Sequence, residues 1–210
     1  MADSTRRLLC AAGLALAVSG CASPGPPPYD GPRAGAVVLH AERDDPYGHT
    51  LRFTRTLQLY GLLTDSPEMP WSLRRSNDKG PEGAMAEIDE AVARLRSRGA
   101  KKVFVAGESA GAVAALRYAG RRRVDGLVAL APARAADASK LAAAVRPGTP
   151  VLWVVGREED VALKKAGRTA FDALPKDPPA KFVEVPGGHL DTASEAAAQV
   201  AEWIREVAKR

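Results

Sequence analysis

A chain of 210 residues with 46% hydrophobic and 26% charged residues has the length and composition of one globular domain, not of a disordered segment. Its formal net charge of +5 arises from Lys and Arg interleaved with Asp and Glu, the pattern of a solvated surface and not of a nucleic-acid-binding stripe. Only three histidines occur, His40, His49 and His189, without metal-ligand spacing. The sequence contains no phosphate-binding Gly-x-x-x-x-Gly-Lys run and no internal repeat.

Taken in chain order, Arg6 and Arg7 precede the apolar stretch LLCAAGLALAVSG. This stretch is too short to cross a bilayer comfortably and has the shape of a signal peptide. It ends in Val18-Ser19-Gly20-Cys21, which resembles the bacterial lipobox. That resemblance implies removal of residues 1–20 and a diacylglycerol on the Cys21 thiol, and Ala22 after it resembles sorting to an outer membrane where one exists. Cys10 lies in the removed segment, so the mature chain would carry no free thiol, which suits an oxidising compartment. Residues 21–34 are rich in proline and read as a stiff tether, with the folded domain over 35–210.

Within the domain, AGAVVLH is a buried strand and HTLRFTRTLQLYGLL a helix with an imperfect apolar stripe. LLTDSPEMPW reads as a short strand running into a loop. PEGAMAEIDEAVARLRSRGA is a helix with Pro81 near its start, a Met85, Ile88, Val92, Leu95 stripe, and Gly99 at its end. The strand KKVFVAG and the helix SAGAVAALRYAG follow, then the strand VDGLVALAP and a helix in ADASKLAAAV. The last four elements are the strand TPVLWVVG, the helix DVALKKAGRTAFDALP, the strand AKFVEVPGG and the closing helix TASEAAAQVAEWIREVAKR. Strands alternating with helices predict βαβ units: an α/β fold with a mostly parallel sheet of about six strands covered on both faces. Ligands bind such sheets at the carboxyl ends of the strands.

Three of those ends carry reactive side chains. Ser109 stands in Gly107-Glu108-Ser109-Ala110-Gly111 after VFVAG, Asp160 follows VLWVVG behind Glu158 and Glu159, and His189 follows FVEVPGG. A serine hydroxyl becomes a useful nucleophile when a histidine takes its proton and an acid orients that histidine. A strand turning at once into a helix also brings residues two before and two after the serine together, which favours glycine at 107 and 111, and it offers the Ala110 N–H to a developing oxyanion. A plain strand-to-helix turn with Ser109 as helix cap needs no chemistry, and the acidic run 158–160 also suits an ordinary helix start. Asp160 is favoured as the acid, Glu159 stays open through its longer side chain, and Asp191 is too close in sequence to His189 to come first.

The order Ser, acid, His, with GESAG between strand and helix and GGHLDT after the last strand, resembles the α/β-hydrolase superfamily over roughly residues 35–207. Within it the chain resembles the small, lid-poor serine hydrolases, since residues 132–150 leave room for one short helix and no cap domain. The resemblance implies Ser109 as nucleophile, His189 as base and then acid, and Asp160 as orienting acid. It implies Ala110 N–H as one oxyanion donor and the backbone of Glu42 as the other, in a loop that reads HAERDDP where the family has a His-Gly pair. It implies no cofactor and no metal. The expected partners are a small-molecule ester or thioester and, through the lipid, a membrane of the bacterial cell envelope. The domain would face the periplasm or another extracytoplasmic space as a monomer that binds no nucleic acid. Asp44 and Asp45 would make the mouth unfavourable to anions. The alternative is a hydrolase-like binding or scaffolding lipoprotein whose triad has decayed.

Overall fold

The computed structural model describes residues 25–75, 80–133 and 138–210, so the signal segment and Cys21 lie outside the described residues. Among the described residues twelve elements alternate as the sequence predicts: β1 (Ala34–Leu39), α1 (Thr50–Leu59), β2 (Leu63–Asp65), α2 (Gly80–Ser97), β3 (Lys102–Glu108), α3 (Ala110–Arg121), β4 (Gly126–Leu130), α4 (Ala138–Ala143), β5 (Val151–Gly156), α5 (Val161–Asp172), β6 (Lys181–Val185) and α6 (Thr192–Ala208). All five strand pairings are parallel, and the spatial order is β2-β1-β3-β4-β5-β6. The order reverses between β1 and β3, so this sheet has its topological switch point at the end of β3.

The four inner strands, β1, β3, β4 and β5, are buried on both faces and largely apolar because both faces are covered. Side chains alternate across the sheet with period two. Val37, Leu39, Val103, Val105, Leu127, Trp153 and Val155 pack against α2, α3, α4 and α5 through Ile88, Leu95, Leu116, Ala142 and Ala170. Their neighbours Ala36, Val38, Phe104, Ala106, Val128, Leu152 and Val154 pack against α1 and α6 through Phe53, Leu57, Val200 and Ile204. Two helices therefore cover one face and four the other. The stripe of α2 faces inward as its spacing predicts, with Ile88 and Leu95 fully buried.

The described part of the proline-rich stretch, from residue 25, touches the domain. Arg205 of α6, only 8% exposed, donates to the Pro27 carbonyl at 2.7 Å and lies 4.8 Å from the centre of the Tyr29 ring. Lys209 pairs with Asp30 at 2.6 Å. The contact of Tyr29 with Arg205 is one that only the folded chain creates. Among the described residues no helix is long and apolar enough to cross a membrane.

Candidate active site

Ser109 occupies the tight turn between β3 and α3 with φ +53° and ψ −112°. A non-glycine residue in this region costs on the order of 1–3 kcal/mol and persists only where its surroundings enforce it. Here its N–H donates to the Leu130 carbonyl of β4 at 2.9 Å, and its carbonyl accepts from Ala112 and Ala133, each at 3.1 Å. The flanking glycines are required by space. A Cβ on Gly107 would overlap the carbonyl of Gly111, and one on Gly111 would overlap the carbonyl of Leu39 at the end of β1. The start of α3 thus packs directly on the end of β1, bringing the loop after His40 beside the serine turn.

The Ser109 hydroxyl does not cap its helix. Its Oγ instead lies 3.0 Å from Nε2 of His189, and Nδ1 of the same ring lies 2.6 Å from Oε2 of Glu159. Nδ1–H donates to the carboxylate, which leaves Nε2 to accept the serine proton. The Glu159 side chain is almost wholly buried and His189 partly so. The other oxygen of Glu159 accepts the Asp160 N–H at 3.1 Å, which fixes the carboxylate against the ring.

The two loops that carry this pair are bonded to each other. Arg157 N–H donates to the Val185 carbonyl at 2.8 Å and Glu158 N–H to the Gly187 carbonyl at 3.0 Å. A Cβ on Gly156 would collide with the Gly187 carbonyl, so the approach depends on that glycine. Asp191 holds the histidine loop locally by accepting the Gly188 N–H at 2.9 Å, with Gly187 at φ +82°.

Asp160, favoured from the sequence as the acid, does not face the histidine. It is the N-cap of α5, and one carboxylate oxygen accepts Ala162 N–H at 2.9 Å and Leu163 N–H at 3.0 Å. The correction has a physical cause. A short carboxylate directly before a helix reaches its free N–H groups, whereas the longer Glu159, one residue nearer the strand, reaches the ring. The capping pattern was the available signal.

Ala110, the expected oxyanion donor, is the first residue of α3. Glu42, the other expected donor, is exposed in a turn immediately before Arg43, whose φ is +59°. That turn is pinned by His40, which is fully buried. Its Nδ1–H donates to the Ala41 carbonyl at 2.8 Å, its Nε2 accepts the Met69 N–H at 3.0 Å, and its carbonyl accepts from the Trp71 indole at 3.1 Å. Burial lowers its pKa, which suits this neutral tautomer. His40 therefore braces the loop.

Sequence reasoning passed over Glu108. It ends β3, is fully buried, and neither carboxyl oxygen has a hydrogen-bond partner among the described residues. Burial, with a smaller contribution from the Asp44 charge, pushes its pKa up to about 8. A charged residue type inside a parallel strand was the signal that marked it.

No protein-family model matches the sequence, and no curated protein matches it. Solved structures do. A metagenome-derived lipolytic enzyme from work on LipS and LipT is 16% identical, with a TM-score of 0.68 over 87% of this chain and 98% of that one. The monoacylglycerol lipase of Paleococcus ferrophilus is 19% identical, with a TM-score of 0.66 over 82% of this chain and 94% of that one. The esterase of Pyrobaculum calidifontis is 17% identical, with a TM-score of 0.66 over 87% and 80%. These likenesses show the fold.

Proposed function

We propose that this chain, with its α/β-hydrolase fold and no cap domain evident, is a serine hydrolase that cleaves a carboxylic ester or thioester through an acyl-enzyme. The observation that carries the reading is the chain Ser109 Oγ, His189 Nε2, His189 Nδ1, Glu159 Oε2, with contacts of 3.0 and 2.6 Å. A strained serine that caps nothing but contacts a histidine is built for reaction.

In this reading Ser109 Oγ attacks the substrate carbonyl carbon as His189 Nε2 takes its proton. Glu159 remains ionised and stabilises the resulting imidazolium. The tetrahedral oxyanion is held by backbone N–H groups, Ala110 and Glu42 in our assignment. Each such donor is worth about 3–4 kcal/mol when tested by removal. The imidazolium then protonates the leaving alcohol or thiol, and water repeats the sequence on the acyl-enzyme. The named activities of the structural neighbours, lipolysis and ester hydrolysis, support this substrate class. Asp44, on the loop after β1, favours neutral or cationic esters over anionic ones, while Asp45 is already paired to Arg74 at 3.1 Å. A decayed, purely binding site would not need Glu159 buried against the histidine ring, so that geometry supports catalysis.

We further assign residues 1–20 as a lipoprotein signal and Cys21 as the lipid-bearing residue of a cell-envelope protein, on the Val18-Ser19-Gly20-Cys21 pattern. The catalytic reading is tested by fluorophosphonate labelling and intact mass. Wild type should gain one adduct on Ser109 and turn over short p-nitrophenyl esters, and Ser109→Ala should do neither. An unlabelled, inactive wild type would end the proposal.

A further inference from the structure

Resting on the lipid-anchor assignment of Cys21, we infer that the sheet edge opposite the Ser109 site lies against an anionic bilayer surface, so that the mouth of the site faces away from the membrane. Because all strand pairings are parallel, the sheet has two chemically distinct edges. Ser109, Glu159 and His189 all follow the carboxyl ends of strands. The chain enters at the other edge, where the Lys101 N–H, just before β3, donates to the Arg33 carbonyl at 2.7 Å.

The segment leading there is clamped at that edge. Beyond the Arg205–Pro27 hydrogen bond and the Lys209–Asp30 pair, the Tyr29 ring is stacked under both cations and its hydroxyl donates to the Pro32 carbonyl at 2.9 Å. Arg205 also lies 5.9 Å from the Tyr60 ring, just after α1. From Cys21 to Pro27 the chain spans six residues, at most about 20 Å when fully extended. A lipid on Cys21 therefore holds this edge within about 20 Å of the bilayer, and the sheet itself interposes roughly another 20 Å before Ser109.

Charge is distributed to match. The loops entering the strands carry Lys101, Lys102, Arg123, Arg146 and Lys181, with Asp125 already paired to Arg96 at 3.1 Å and to Lys102 at 3.6 Å. A cleft of about 390 Å³ at the entries of β4 and β5 is lined by Arg96, Arg123 and Arg146. The loops leaving the strands carry more acids than bases: Asp44, Asp45, Glu158, Glu159 and Asp160 stand there with Arg43, Arg74 and Arg157, and Arg74 is paired to Asp45 at 3.1 Å. Cations at helix C-termini would offset the helix dipoles in any case, and Lys102 is matched by Asp125, but Lys101 and Lys181 stand at strand starts, where no dipole asks for them. A basic face beside an anionic lipid surface gains electrostatic attraction, and an acidic one is repelled.

The mature lipidated chain would have no free thiol, so single labels can be placed cleanly. Nitroxides on Lys101→Cys and on Val161→Cys, the latter 81% exposed beside the site, are read on vesicles doped with a nickel-chelating lipid. On phosphatidylglycerol-containing vesicles the Lys101 label should relax at least severalfold faster than the Val161 label, with a smaller contrast on phosphatidylcholine alone. Equal or reversed relaxation overturns the orientation, and equal contrast on both lipids overturns the anionic-surface assignment. The anchor is checked separately. If the intact mass of the mature membrane-bound chain shows no diacylglycerol on Cys21, the lipid reading fails and this inference with it, whereas a lipidated protein with reversed labels sinks the orientation alone.

Discussion

Replacing Glu108 by Gln should flatten the pH dependence of stability. The carboxyl is fully buried without a partner among the described residues, and its pKa rises from 4.5 to about 8 on folding. The folded state therefore favours the protonated form. The stability this group contributes is complete below pH 4.5 and drains as the pH rises towards about 8. At about 1.4 kcal/mol per unit, the loss between about pH 5 and pH 7 is on the order of 2 kcal/mol. Glutamine has nearly the same shape and cannot ionise. It adds an unpaired amide, but that cost does not change with pH. Urea unfolding of wild type and Glu108→Gln at several pH values isolates the effect, because all other titrating groups are shared. Wild type should lose about 2 kcal/mol more than the variant over this interval. Parallel curves would mean that the carboxylate is solvated or paired when charged.

Other outcomes follow from the site geometry. Gly111→Ala pushes a methyl into the carbonyls of Leu39 and His40, both backbone. Neither can move without disturbing β1, so a loss of about 3 kcal/mol or more is expected, read as a large fall in Tm. Asp160→Ala removes the cap of α5 and should cost about 1 kcal/mol in chemical denaturation. Its activity should stay within about threefold of wild type once folded, since Glu159 keeps the histidine.

The architecture is legible in the sequence because buried parallel strands read as short Val-rich runs and their covering helices carry apolar stripes. Ser109 and His189 are legible for a similar reason: few residues of their kind stand just after a strand, and the crowding between Gly107 and Gly111 is written into the motif. The acid is not. Three acidic residues in a row share one composition, and their directions depend on where α5 begins and on two loops that meet only in the fold, through Glu158 and Gly187. Glu108 was hidden by its place inside the motif, where attention goes to the serine. The docking of Tyr29 on Arg205 was hidden by separation along the chain, since nothing local in a proline-rich stretch names a partner on the last helix.

The geometry makes Glu159, not Asp160, the partner of His189 Nδ1. The most direct test of that pairing is kcat/KM for a short p-nitrophenyl ester in Glu159→Gln beside Asp160→Asn. Asparagine caps a helix about as well as aspartate, so the second variant should retain activity within about threefold. Glutamine disrupts the charged hydrogen bond to Nδ1 and should lower kcat/KM by roughly 10³–10⁴. Near-normal turnover in Glu159→Gln together with collapse in Asp160→Asn would make Asp160 the orienting acid instead.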